Sequence, residues 1–178
     1  MNMQALFADI EEQPDEELHD DTNEYLTFYL ANEEYGLDIL RVQELRGWES
    51  VTRIPNSPEY VRGVLNLRGA IVPIIDLRIR FDLPVTAYTP TTVVVILSVV
   101  DSHSRKNRIV GVVVDAISDV VNAKISGIQN TPEFDASIEV EYISGLATAD
   151  NGMLMLIDVD KLLDLTQLES LNDSTDAS

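Results

Sequence analysis

The sequence predicts an all-β protein with short helices: two small barrels related by duplication, ending in a C-terminal amphipathic helix. Three observations predict it. The apolar segments are short, rich in Val and Ile, and bounded by Gly, Pro, Asn and Asp. Helical spacing is confined to brief turns and to the last stretch, which favours barrels over a wound α/β sheet. Similar patterns also recur in the same order in the two halves of the chain.

The elements follow in order. Tyr25 to Ala31 alternates, with Leu26, Phe28 and Leu30 on one face, and reads as a strand. Asn32-Glu33 makes a turn, and Glu34 to Ile39 returns as a second strand. Ile39, Val42 and Leu45 suit a short helical turn ended by Gly47. Val51 to Ile54 is a brief extended piece. Pro58 to Asn66 reads as a short helix with Ser57 as its cap. Leu67 to Leu77 is a strand, in which Pro73 implies an edge or a bulge. Thr91 to Val100 and Arg108 to Asp115 are strands around a polar loop, Ala116 to Val121 suits a turn, and Lys124 to Ile128 is short and extended. Met153 to Val159 is a strand. Asp160 to Leu171 places its leucines near helical spacing.

The repeat is specific. Tyr60, Gly63 and Asp76 match Tyr142, Gly145 and Asp158 at an offset of 82, with 16 residues from tyrosine to aspartate each time. Gly36, Val42, Glu44 and Leu45 match Gly111, Ile117, Asp119 and Val120 at an offset of 75. The predicted organisation is an acidic, disordered tail over 1–23, a domain over 24–165, and a helix end and tail over 166–178. Within the domain, one barrel would span about 25–81 and the other about 91–163, with a groove between them.

Charge and composition exclude several functions. The chain of 178 residues carries a net charge of −19, from 31 acids and 12 bases. Twelve of those charges lie in residues 1–24 and 165–178, whereas residues 25–81 hold seven acids and seven bases. This balance argues against a nucleic-acid backbone or an anionic membrane as partner. The acidic leader either keeps the protein soluble or docks through Met3, Leu6, Phe7 and Ile10. With no Cys and only His19 and His103, thiol nucleophiles, Cys-based metal sites and His-centred triads are not expected. No phosphate-binding glycine motif is present, and acid pairs such as Asp38 with Glu44 or Asp115 with Asp119 are expected by chance in so acidic a chain. No cofactor or metal is expected, and the protein reads as a binding module rather than an enzyme. No signal peptide or membrane-length apolar run is seen, so a cytosolic location is expected.

Arg68 stands in an otherwise apolar segment, GVLNLRG, and Glu44 is its plausible partner in RVQELRG. The pair either fixes a loop or also shapes a partner-binding surface.

At these residues the chain resembles the bacterial chemotaxis coupling (adaptor) family, CheW. The matching stretches are 33–47, 51–78, 91–97, 108–120 and 153–163, with Asn66 to Leu77 (NLRG-x-x-x-P-x-x-D-L) the most distinctive. The resemblance implies a CheW-like fold of two pseudo-symmetric SH3-like five-stranded β-barrels and no catalysis. It implies a monomeric scaffold that couples methyl-accepting receptors to the regulatory domain of the histidine kinase CheA, recruited to receptor arrays at the inner face of the membrane. The same domain occurs in kinases and in couplers with a receiver, but 178 residues leave room for neither, so a stand-alone coupler is expected. A related adaptor serving surface motility or second-messenger output is the alternative. Carried over by motif, the kinase-facing residues would be Val42, Glu44, Leu45, Arg46, Gly63 and Arg68. The receptor tip would meet Ile39, Thr92, Val93, Gly111, Ile117 and Val120. Substitution of Gly63 is expected to weaken binding more than folding.

Overall fold

The computed structural model describes residues 22–84, 87–101, 104–124, 128, 140–149 and 152–163. The first half contributes β1 (Thr22–Leu30), β2 (Glu33–Asp38), a 3₁₀ turn η1 (Ile39–Arg41), β3 (Val42–Gly47), β4 (Val61–Leu67), β5 (Ala70–Asp76) and helix α1 (Leu77–Arg80). The second contributes β6 (Val93–Val100), β7 (Asn107–Val114), β8 (Ala116–Lys124), a 3₁₀ turn η2 (Val140–Tyr142), β9 (Ile143–Ala149), β10 (Gly152–Ile157) and helix α2 (Val159–Leu162). The acidic leader before Thr22 and the C-terminal helix beyond Leu163 lie outside the described residues.

The strands form two five-stranded sheets, ordered β8-β1-β2-β10-β9 (sheet A) and β3-β6-β7-β5-β4 (sheet B). Replacing each strand by its repeat partner turns one order into the other, so the sheets are pseudo-symmetric. Each sheet draws strands from both halves of the chain. A barrel of 25–81 followed by one of 91–163 is therefore corrected: the halves exchange strands. β3, β4 and β5 join β6 and β7 in sheet B, and β8, β9 and β10 join β1 and β2 in sheet A; the pairings between halves are β3–β6, β5–β7, β8–β1 and β10–β2. Sheet B closes where Thr52 and Val64 exchange backbone hydrogen bonds of 3.2 and 2.8 Å.

Bulges explain where helical segments or a turn were expected and strands formed. Val42 faces Leu97 but Glu44 faces Ile96, leaving Gln43 as an extra residue in β3. Its counterpart Ser118 is extra in β8, between Ile117 facing Phe28 and Asp119 facing Thr27. One inserted residue converts alternation into apolar spacings of three, which imitates a helix. Residues 39–47 and 116–121 are thus strand apart from η1. The expected helix over Pro58 to Asn66 is likewise β4, with Arg62 as the extra residue. Ser57 Oγ donates to the Ile54 carbonyl instead of capping a helix. Ser144 is the matching extra residue in β9. Pro73 is tolerated in a central strand because pairing of β5 with β7 begins only at Ile74.

The tyrosine-to-aspartate spacing has a structural cause. Asp76 N–H donates to the Tyr60 carbonyl at 2.8 Å, and Asp158 N–H to the Tyr142 carbonyl at 2.9 Å. Each aspartate then caps the helix that follows: Asp76 Oδ1 accepts from Arg78 N–H, and Asp158 Oδ1 from Asp160 and Lys161 N–H.

Three cores result. Leu26, Phe28, Leu30, Tyr35 and Leu37 from sheet A meet Val95, Leu97, Val99, Val110, Val112 and Val114 from sheet B in the large core between the sheets. Val94, Ile96, Ile74 and Val113 fill the interior of barrel B, and Tyr25, Ala147, Leu154 and Leu156 that of barrel A. Strands buried on both faces account for the nearly continuous Val and Ile runs. Gly36 and Gly111 lie where neighbouring side chains of the two interiors leave no room for a Cβ. A Cβ on Gly111 would stand 2.5 Å from Ile74 Cδ1, and one on Gly36 2.9 Å from Leu154 Cδ2.

A buried ionic network ties these parts together. Arg78, 1% exposed, donates through Nε and Nη2 to Asp76 at 3.0 and 2.9 Å and through Nη1 to Asp115 at 3.0 Å. Burial lowers the guanidinium pKa, but the two carboxylates more than offset this and the net shift is upward. Tyr88 donates to Asp76 Oδ2 at 2.9 Å and stacks on Trp48 at 3.9 Å. Burial, then the charge of Asp76, raise the Tyr88 phenol above its ordinary value.

Two outcomes are expected. Arg78→Met strands Asp76 in a dry core and should lower stability by about 3–5 kcal/mol in urea unfolding. Gly63→Ala should destabilise by about 2 kcal/mol or more, whereas Gly47→Ala, with open space around its Cβ, should stay within about 0.5 kcal/mol.

Candidate functional site

The candidate residues fall into three environments. Glu44 and Arg46 pair with Ile96 and Val94, which line the interior of barrel B, and so sit at that barrel's mouth. There Glu44 accepts from Arg46 Nη1 at 3.1 Å and from Arg68 Nη2 at 2.9 Å. Arg46 also reaches Glu49 at 3.1 Å. The pair expected between Arg68 and Glu44 is therefore present. Arg68 is carried by the two-residue turn between β4 and β5, where Arg68 (φ 50°) and Gly69 (φ 88°) both take positive φ. Asn66 Oδ1 accepts from Gly69 N–H and holds the turn. With its side chain 84% exposed, Arg68 offers most of its guanidinium outward. Ile71, 65% exposed, follows the same turn. It was hidden in the sequence because it belongs to a run of apolar residues that otherwise face a core.

The second environment is the outer face of each sheet beside the central core. Ile39, Val42, Val93 and Ile117 are partly buried against that core. Leu45 pairs with Val95 and Val120 pairs with Leu26, so both side chains lie on the core-facing sides of their sheets. They are 45% and 48% exposed, at equivalent rim positions of the two sheets. The expected kinase set therefore divides: Glu44, Arg46 and Arg68 line the mouth of barrel B, while Val42 and Leu45 join Ile39 and Val93 on the apolar face. Leu40 in η1, 81% exposed, was not singled out from sequence, where it reads as one more aliphatic of a helical turn.

The third environment is interior. Gly63 is buried at φ 148°, and a Cβ there would come within 2.2 Å of the Thr52 carbonyl oxygen. It supports the surface by letting two backbones close the barrel. Gly111 is likewise interior. Thr92, 2% exposed, accepts from Thr89 N–H with Oγ1 and from Trp48 N–H with its carbonyl. Thr92 and Gly111 are thus buried and present no exposed side chain to a partner.

The mouth of barrel A differs in charge. A cleft of about 380 Å³ there is lined by Glu34, Asp119, Val120, Thr148 and Met153 among others. On the core-facing side of β2, Tyr35 donates to Glu33 at 2.6 Å, and burial, then this carboxylate, push the phenol well above its usual value. Among the described residues no group of three or more His, Cys, Asp or Glu is arranged to hold a metal ion. None of the described helices is long and apolar enough to cross a membrane.

Comparison with known proteins agrees with this architecture. Residues 24–167 match the family model described as the CheW-like domain. The chain is 48% identical over 140 residues to the chemotaxis protein CheW of Klebsiella aerogenes, covering 79% of this chain and 81% of that protein. It is 34% identical over 153 residues to the probable chemotaxis protein CheW of Rhizobium etli, covering 86% and 95%. Among solved structures, the scaffolding protein TtCheW from Thermoanaerobacter tengcongensis superposes with a TM-score of 0.72 at 30% identity, over 84% of this chain and 92% of that one. This chain therefore belongs to the CheW-like domain family.

Proposed function

We propose that this protein is a non-catalytic scaffold that couples methyl-accepting chemotaxis receptors to the histidine kinase CheA in arrays at the inner face of the membrane. The relatives named as chemotaxis proteins and the solved scaffolding protein support the reading. The observation that carries it is the separation of two unlike surfaces joined by one strand. The Glu44–Arg46–Arg68 cluster at the mouth of barrel B presents the mostly exposed guanidinium of Arg68, a fork suited to a partner's carboxylate. The apolar strip of Ile39, Val42, Leu45 and Val93, flanking the central core, suits an apolar helical surface. The kinase occupies the first and the receptor's hairpin tip the second. Holding both on one rigid body raises their effective concentration. A change in kinase activity further requires that the scaffold contact its active and inactive states with unequal free energy.

Pull-down with purified kinase regulatory domain and a receptor hairpin fragment tests the reading; capture of neither rejects it. Arg68→Glu should weaken kinase binding roughly tenfold while stability stays within about 0.5 kcal/mol, because the side chain is mostly solvated. Glu44→Ala and Arg68→Ala should be non-additive for kinase affinity, with a coupling energy above about 0.5 kcal/mol. For thermal stability the same exposed pair should couple by less than about 1 kcal/mol.

A further inference from the structure

We propose that the Arg41–Asp160 ion pair is a releasable latch that sets the position of β3, so that a contact on η1 is felt at the face β3 carries. The proposal takes its partners from the function proposed above, but the latch itself stands on geometry alone.

The chain crosses from sheet A to sheet B through only three residues, Ile39–Arg41. Asp38 Oδ1 accepts from Leu40 N–H at 2.9 Å and starts the turn. Ile39 packs on the central core, while Leu40 projects into solvent. Arg41 then grips Asp160 with both Nη atoms, at 3.1 and 2.7 Å, and donates from Nη1 to the Ser98 carbonyl at 3.4 Å. Asp160 Oδ1 also accepts from Val100 N–H at 2.9 Å. The latch thus fixes η1 to the end of β6 and to α2. The next residue, Val42, begins β3, a terminal strand of its sheet interrupted at once by the Gln43 bulge. Glu44, Leu45 and Arg46 follow within five residues of Arg41.

The opposite crossing shows why this one can open. Between β7 and β8, Asp115 pairs with Arg78 and accepts from Ala31 N–H at 2.8 Å, as Asp160 accepts from Val100. Arg78 is sealed, at 1% exposure, and water cannot replace its partners. At the η1 corner Arg41 and Asp160 are 30% and 33% exposed, so water substitutes for the pair at small cost. Of two equivalent corners, one is locked and one is releasable. The releasable one displays Leu40 beside Ile39, where an apolar partner can bind one position of the turn better than the other.

The test uses full-length Arg41→Met, Asp160→Asn and the double variant. Asp160→Asn retains the oxygen that receives Val100 N–H. Amide hydrogen exchange over residues 41–45 should quicken about fivefold or more in each single variant, with little added in the double, while β9 and β10 are unchanged. With the receptor hairpin fragment and the kinase regulatory domain as probes, the hairpin should alter kinase affinity about fivefold in the parent. In the variants this linkage should fall to near unity, while each separate affinity stays within about twofold. Unchanged exchange overturns the latch whatever the partners do. Faster exchange with undiminished linkage overturns its role in transmission. If neither probe binds, the proposed function falls, and the exchange result still decides the latch.

Discussion

The structure depends on one buried cation. Moving a guanidinium and a carboxylate out of water costs several kcal/mol per ion even after relaxation, so such a pair persists only when nearly every polar atom is matched. Arg78 meets this condition by using Nε and Nη2 on Asp76 and Nη1 on Asp115. The carboxylates are shared in turn. Asp76 caps α1 and receives Tyr88 from the segment joining the two halves, and Asp115 receives the Ala31 N–H of the β1–β2 hairpin. One side chain therefore fixes the end of β5, the linking segment, the β7–β8 crossing and a hairpin of the other sheet. Its Tyr88 contact, with the ring centroid 5.0 Å from Arg78 Cζ, adds a cation–π face where no further hydrogen bond can form.

Duplication explains why the network spans both halves. A unit of about 60 residues buries too little surface to be secure alone. Exchange of β3–β5 for β8–β10 makes each barrel complete only with strands from both copies, and the outer faces then form the largest core. The two ionic corners obey the same symmetry with reversed polarity: the first copy supplies arginine to both, the second aspartate to both. Near the middle, Arg80 departs from symmetry altogether. It lies 5.2 Å from the ring of Tyr60 and 5.3 Å from that of its counterpart Tyr142, so one cation serves two equivalent tyrosines. Opposite charges at equivalent positions hold the two copies together where identical charges would repel.

The sequence made the strand-rich class, the duplication and most strands legible, since β-branched runs and turn residues are local signals. The Glu44–Arg68 pair was legible too, because charges embedded among aliphatics need partners. What escaped it followed from bulges and from topology. Gln43, Arg62, Ser118 and Ser144 each add one residue, which moves every later side chain to the other face; at Gln43 and Arg62 this disguises strand as helix, and at Ser118 as a turn. Strand exchange leaves no local trace, because Val42–Gly47 would read the same whichever half supplied its partner. Gly63, Thr92 and Gly111 sit in motifs as prominent as those of surface residues. Only the Thr52 carbonyl against Gly63 and the Ile74 side chain against Gly111 reveal why those positions must be glycine.

β3 shows how the same device that hid the fold also builds the site. Without the bulge at Gln43, strict alternation would put Val42 on the same face as Glu44 and Arg46. An apolar side chain would then lie at a polar mouth, or two charges against the central core. The extra residue lets Val42 and Leu45 face the core side while Glu44 and Arg46 turn toward Arg68. Two chemically distinct surfaces thus occupy one six-residue strand, neither desolvating the other. A strand divided in this way can meet two unlike molecules without enlarging the domain, which is the geometric requirement for a small protein that bridges them.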